Sequence, residues 1–380
     1  MDFNLSKEQE LIQRAAREFA EKYIEPIAQQ IDQENAIPEE ILTGLGELDM
    51  FGIPFAEEYG GAGSGYSSYV LAMEQLGSAS SGIAMIISAH TLGLGAISVF
   101  GTEEQKKKYM PKCCKGEHIA SFAFTEPGTG SDPKQIASTA EKDGDYFILN
   151  GTKRFISNAG FPGPLVFFAK ETESGKVTAF IVDKFCEGYS ISEPWEKIGM
   201  HGGPLLDVYL KDVKVPAENV LGQPGFGYPI LQMGISYGKV GVSSTALGGL
   251  LASYREAVKY AKEKTHRDEP IAKFPTTKVN IANIAEKYEA AKWLVYRLGF
   301  LADTMKDPMQ FAKEAALAKD FVCEEMINTA RMCMNVHGSY GLMKDYKVER
   351  IYRDSIMGSQ VEGVSDMQKM IVAGVILGMK

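Results

Sequence analysis

The hydrophobic pattern along this chain changes period twice. At the start, apolar residues fall on one helical face. Leu11, Ala15, Phe19 and Tyr23 recur at every fourth position, and Ser6 with Gln9 has the spacing of a capping box. Pro26 disturbs this helix or begins its next segment. "EEYGGAGSGYSSY" is glycine-rich, but Gly61, Gly63 and Gly65 do not complete a dinucleotide fingerprint and no strand precedes them. It reads as a loop before a helix. Residues 81–100, "SGIAMIISAHTLGLGAISVF", carry no charge and are long enough to span a bilayer. The internal His90, the serines and glycines, and the flanks favour a helix buried on all sides.

Near residue 117 the period shortens. "IASFAF", "DYFILNG", "LVFFAKE", "TAFIVDK" and "LLDVYLKDVKV" are strand-like, and Asn150-Gly151 predicts a tight hairpin turn. No helical pattern separates these strands, so they predict an antiparallel β unit, a barrel or sandwich. After "LGQPGFGYP" the helical period returns and holds to the end in long segments that predict a four-helix bundle. The expected class is α+β, mostly α: an N-terminal helical domain over 1–116, a middle β domain over 117–226 and a C-terminal helical bundle over 227–380.

Composition narrows the function. The 380 residues are 45% hydrophobic and 23% charged, with a formal charge of −9 and no basic stripe, which argues against nucleic acid. Five cysteines without a C-x-x-C argue for reduced thiols in the cytoplasm. The five histidines make no zinc spacing, so no metal is expected. The polar start "MDFNLSKEQE" is not a signal peptide, and no membrane association is expected.

Three segments can carry chemistry. In "SQVEGVSDMQ" one carboxylate, Glu362, sits between Val361 and Gly363 with no adjacent Lys or Arg. Burial would raise its pKa toward the range of a general base, although an isolated Val-Glu-Gly is more often a surface turn. "FAFTEPGTGSDP" joins a strand to a glycine loop whose N–H groups can approach a ligand. "GTKRFISNAG" sets Phe155 beside Ser157 and Asn158, a combination that suits a flat heteroaromatic ring, while the plain alternative is a core phenylalanine.

Together with "DVKVPAENVLG", "NVHGSYGLMKDYKVERIYRD" and "VEGVSDMQKMIVAG", these segments resemble the flavin-dependent acyl-CoA dehydrogenases, nearest to short-chain or cyclic-acyl bacterial members, over essentially the whole chain. The resemblance implies FAD, an acyl-CoA substrate, an electron-transferring flavoprotein partner and a homo-oligomer, a tetramer. It makes Glu362 the base that removes the α-proton while the β-hydrogen leaves as hydride to flavin N5, giving an enoyl-CoA. Its backbone N–H and a flavin ribityl hydroxyl would then hold the thioester oxygen.

By the same resemblance Phe122, Phe124, Thr125, Phe155 and Ser157 meet the flavin ring, and Ser131 lies near the cofactor and the CoA end of the substrate. The family's pyrophosphate- and adenine-side positions are altered: Lys264 and Arg267 keep charge, and Asn335, Ser339, Val364 and Asp366 replace the usual residues. Ser236 and Lys239 stand where a substrate-side Asp-x-x-Arg is usual. Val361 replaces a tyrosine and frees space for a branched or alicyclic acyl group, a cyclohexane- or cyclohexene-carboxyl thioester for example; neighbouring side chains filling the gap is the alternative. Gly363 and His90 complete the expected substrate side, with a hydrogen-bonded core histidine the competing reading for His90. Variant chemistry on the same fold (1,4-dehydrogenation, desulfination or oxidase activity) and non-catalytic acyl-CoA binding are the alternative functions.

Overall fold

The computed structural model describes residues 4–379. The N-terminal helices are α1 (Lys7–Phe19), α2 (Ala28–Glu34), α3 (Glu39–Glu47), α4 (Gly65–Ala79), α5 (Ser81–Phe100) and α6 (Glu103–Cys114). The capping box forms: Gln9 N–H donates to Ser6 Oγ at 3.2 Å, and Ser6 N–H to Gln9 Oε1 at 3.0 Å. Around Pro26, α1 passes through a π turn and a 3-10 turn into α2. The charge-free helix α5 is mostly buried, packed against α4, α7 (Gly227–Glu263) and the first strand.

The strands are β1 (Ser121–Ala123), β2 (Thr139–Asp143), β3 (Tyr146–Ser157), β4 (Pro164–Glu171), β5 (Val177–Asp183), β6 (Tyr189–Ile191), β7 (Leu205–Pro216) and β8 (Val220–Leu221). They form one open sheet in the order β6-β7-β3-β2-β4-β5-β8, with β1 on β4. The antiparallel expectation needs correcting, and so does closure into a barrel. β1 and β2 both pair parallel to β4, at Ser121–Leu165 and Thr139–Lys170 respectively. They share one edge of β4 end to end, with the glycine loop bridging them. Asn150-Gly151 is not a hairpin turn either. β3 runs straight through it with a register shift against β7, and a Cβ at Gly151 would stand 2.1 Å from Ser138 Oγ. That glycine admits a close neighbour at a bulge. The true β2–β3 turn uses Gly144, at φ +59°.

The C-terminal part holds α7, a two-stranded hairpin of β9 (Thr265–His266) and β10 (Glu269–Pro270), α8 (Pro275–Thr304), α9 (Pro308–His337), α10 (Lys347–Gln360) and α11 (Ser365–Ile376). α7 packs against α8, α9 and α10 on one side and α4 and α5 on the other, so it joins the two helical parts into one body. Its buried Ser243, Ser244 and Ser253 donate to their own i−4 carbonyls at 2.7–2.9 Å, which satisfies hydroxyls inside a crowded helix interface.

Candidate active site

Glu362 lies in the short link between α10 and α11. Its φ is +52° and that of Gly363 is +87°. The left-handed region costs a non-glycine residue roughly 1–2 kcal/mol, so neighbours must hold it. They do. Lys319 of α9, fully buried, donates to Ser359 O at 3.2 Å and Gly363 O at 2.7 Å. Gln368 of α11 donates to Glu362 O at 3.1 Å and Gly363 O at 2.8 Å.

The residue as a whole is only partly buried, yet its carboxylate faces inward. It lies over α7, where a Cβ on Gly238 would stand 3.0 Å from Glu362 Oε2 and 3.3 Å from Leu92 Cδ1. Burial pushes the Glu362 pKa up to about 7, and the ammonium groups of Lys239 and Lys319 offset only part of that. Lys239, beside Gly238 and 2% exposed, is itself held down at about 8 by burial, opposed by Glu362. It sits beside the carboxylate, inside the protein. Ser236, one turn earlier, spends its hydroxyl on Gln232 O at 2.8 Å.

One turn back along α7, the site of a Cβ on Gly234 is 3.1 Å from the Phe122 ring and 3.5 Å from Leu92. Phe122, Leu92 and Glu362 therefore line up against a groove opened by two glycines at i and i+4. The Phe124 ring is 6% exposed and packs edge-on to Phe168 at 5.8 Å, which leaves its backbone to face a ligand. Thr125 is half-buried, and its carbonyl accepts from Arg154 N–H at 2.8 Å.

The glycine loop after Thr125 is anchored from within. Glu126 accepts from Lys153 Nζ at 2.6 Å, from Ala137 N–H at 2.6 Å and from Ser138 N–H at 3.0 Å. The loop itself stays open. A Cβ on Gly128 would meet nothing within 4 Å, and Ser131 is exposed. Phe155 is not a core phenylalanine. It is 51% exposed at φ +59°, with Trp195 edge-on at 5.5 Å. Trp195 Nε1 donates to Asp207 at 2.9 Å, and Arg154 forks onto the same carboxylate, so the exposed pair of rings has a fixed base. Ser157 closes β3, half-buried; Asn158 turns inward and donates to Ile86 O at 2.9 Å.

A cavity of about 260 Å³ begins beside Leu92 and Gly234 and continues between Gly95, Phe100, Tyr66 and Tyr237. Val361 packs partly buried against the main helical core. His90 corrects the substrate-side expectation. Its Nδ1 accepts from Ala120 N–H at 3.0 Å, its ring meets Phe51 edge-on, and burial drives its pKa down to about 3. It is a neutral core histidine, outside the groove and the cavity lining.

The remaining candidates are spread out. Val364 and Asp366 are exposed just after the base. Lys264 and Arg267 lie at the far end of α7 and on the β9–β10 turn, and Asn335 and Ser339 are exposed near the end of α9. At 1.5 Å per residue, roughly 37 Å of α7 separates Lys239 from Lys264. A single chain does not bring these two sets together.

Lys319, Gln368, Trp195 and the Gly234/Gly238 groove are the site features that sequence reading missed. The i, i+4 glycines in "GISYG" were the one available signal for the groove.

Known proteins resemble the chain throughout. The N-terminal, middle and C-terminal domain patterns of acyl-CoA dehydrogenases match residues 6–117, 121–213 and 225–377. A 3-(aryl)acrylate reductase of Clostridium sporogenes is 40% identical, over 98% of this chain and 99% of the relative. A caffeyl-CoA reductase–Etf complex subunit of Acetobacterium woodii is 37% identical over 98% and 99%. The solved butyryl-CoA dehydrogenase of Megasphaera elsdenii superposes with a TM-score of 0.95 at 32% identity, covering 99% of this chain and all of that one.

Proposed function

The chain belongs to the acyl-CoA dehydrogenase family of FAD-dependent oxidoreductases, and from that premise we propose that Glu362 handles the α-proton of an acyl-CoA thioester as the Cα–Cβ bond is oxidised or reduced. One observation carries the reading: the Glu362 carboxylate turns inward over a glycine groove in line with Phe122, where burial raises its pKa. A C–H next to a thioester is a weak acid. A carboxylate held near neutrality is a better acceptor for it than an ordinary glutamate, and can return the proton in the reverse direction.

The residues present fit FAD. Phe155 and Trp195 offer an exposed aromatic face, Thr125 and the open Gly128 loop offer polar and backbone contacts beside it, and Phe122 borders the groove. When bound, FAD supplies the two-electron hydride chemistry that no side chain can. The chain's part is to place the thioester between groove and loop, exclude water, and move the proton at Cα.

The acyl group we infer is neutral and bulky, branched or alicyclic. The cavity beyond Leu92 supports this, and no Lys or Arg lines that cavity to meet a second carboxylate. A second reading, reduction of an aryl-substituted enoyl thioester, is favoured by the aromatic lining at Phe100, Tyr66 and Tyr237 and by the activities named for the two relatives. The Acetobacterium relative also supports an electron-transferring flavoprotein as redox partner. Further copies of this chain, in a tetramer, would bring the Lys264–Arg267 end to a neighbour's cofactor. We place the enzyme in the cytoplasm, consistent with its five free cysteines.

A screen of straight, branched, cyclic, aryl and dicarboxylic thioesters tests this in both directions, with wild type and Glu362→Gln. Turnover of neutral cyclic or aryl thioesters that falls at least 100-fold in the variant is expected. Full activity in Glu362→Gln would overturn the assignment of the base, and brisk butyryl-CoA turnover with no cyclic or aryl turnover would overturn the acyl class.

A further inference from the structure

We propose that Lys319 and Gln368 are positioning residues for the base: they hold the carbonyl oxygens of Ser359, Glu362 and Gly363 and so fix the direction of the Glu362 carboxylate. The proposal rests on Glu362 being the base, and it assigns two side chains whose position the base reading alone does not explain.

An ammonium with no exposed surface is costly to bury. Lys319 is in that position, and its two hydrogen-bond partners are backbone carbonyls of the last turn of α10 and of the link that carries Glu362. Closing a loop needs no charge. Gln368 is 1% exposed, and both of its donated bonds go to the same link from the opposite helix. Ser365 adds a tie from α11 to α9, through Glu324 at 2.7 Å. The link is thus gripped from α9 and α11 while Glu362 and Gly363 sit in the left-handed region. Without the grip, Glu362 relaxes to φ below zero. Its Cα–Cβ bond then turns, and the carboxylate leaves Gly238.

The charged and titratable groups around the base are few. Lys239 approaches from α7 and Lys319 from α9; Cys323, Asp320 and Glu324 lie around Lys319 on α9. Of the two clamp residues, only Lys319 brings charge, so the two can be separated.

The measurement is exchange of the thioester α-proton in D2O by the FAD-loaded enzyme, which reads the base without hydride transfer. It is followed across pH, with kcat, KM and the thermal midpoint. Gln368→Met keeps the volume and removes both donors. It should slow exchange and kcat on the order of 100-fold with KM little changed and the acidic limb of the pH profile in place. Lys319→Met should slow both similarly and also move that limb to higher pH, because a cation near the carboxylate is gone. If Lys319→Met does not fold, Gln368→Met alone decides. A folded Gln368→Met enzyme that exchanges at the wild-type rate overturns the proposal. A wild type that exchanges no thioester overturns instead the reading of Glu362 on which it rests.

Discussion

The two ends of α7 treat charge in opposite ways. Near its start, Lys239 is buried and lies beside a carboxylate whose link is held by Lys319 and Gln368 of the same chain. At its finish, Lys264 rests against the exposed Tyr340 ring at 4.7 Å, and Arg267 stands in water on a two-residue turn. Phe274, Tyr340 and Leu342 around them are 37%, 47% and 67% exposed. The first end tunes a proton acceptor by removing water, and one chain suffices for that. The second end presents cations and apolar surface that its own chain leaves uncovered, as a surface awaiting a second copy and its cofactor would.

The largest effect that tests this contrast lies in the groove. Gly238→Val places methyl groups where a bare Cβ already stands 3.0 Å from Glu362 Oε2. The carboxylate must move, and a displacement of about 1 Å is worth on the order of 100-fold in rate. α-Proton exchange should fall by that factor, while Lys262→Ala, exposed near the far end, leaves it unchanged. Equal rates in Gly238→Val and wild type would mean that the groove does not locate the base.

At the far end the expected effect is smaller and of another kind. Removing charge there, with Lys264→Ala and Arg267→Ala together, should weaken FAD retention about tenfold, the scale of one lost charge-assisted contact. The gap from wild type should be widest at low salt and narrow as salt screens the wild-type contact, and FAD loss should grow with dilution of the enzyme, since the proposed contact crosses between copies. The pH dependence of α-proton exchange should stay put. Unchanged FAD retention in the double variant would remove the far end from the cofactor site.

Much of this was readable in the sequence, for reasons that differ along the chain. Long helices announce themselves through period, and α1 even through its cap, because helix formation is local. The sheet was legible as strands but not as pairing. Whether β1 lies parallel or antiparallel to β4 depends on the path of the loop between β1 and β2, and Asn150-Gly151 has the chemistry of a turn while serving as a bulge. Glu362 could be picked out because its neighbours are uncharged. Lys319 could not: a lysine in "LAKDF" looks like a solvated helix residue, and only tertiary contact shows it buried on backbone carbonyls. His90 shows the other side of that limit. A histidine on an apolar helix allowed both a core and a substrate-side reading, and only its tertiary bond to Ala120 separates them.

The smallest effect tests the desolvation itself, through stability. The Glu362 carboxyl has a folded-state pKa near 7 against an ordinary value of 4.5. Between those values the folded chain binds more protons than the unfolded one at this position, so stability falls as pH rises through the window. Glu362→Gln has no such group. It should match wild type near pH 4.5 and become the more stable protein above pH 7, by roughly 1–2 kcal/mol, less than the shift alone gives because the residue is partly exposed and water screens the anion. Arg267→Ala, in water at the other end of α7, should show no divergence from wild type across the same range. Parallel denaturation series for the three proteins between pH 4.5 and 8 measure this directly. A Glu362→Gln midpoint that runs parallel to wild type throughout would mean that the carboxylate is already solvated, and the contrast between the two ends of the helix would disappear with it.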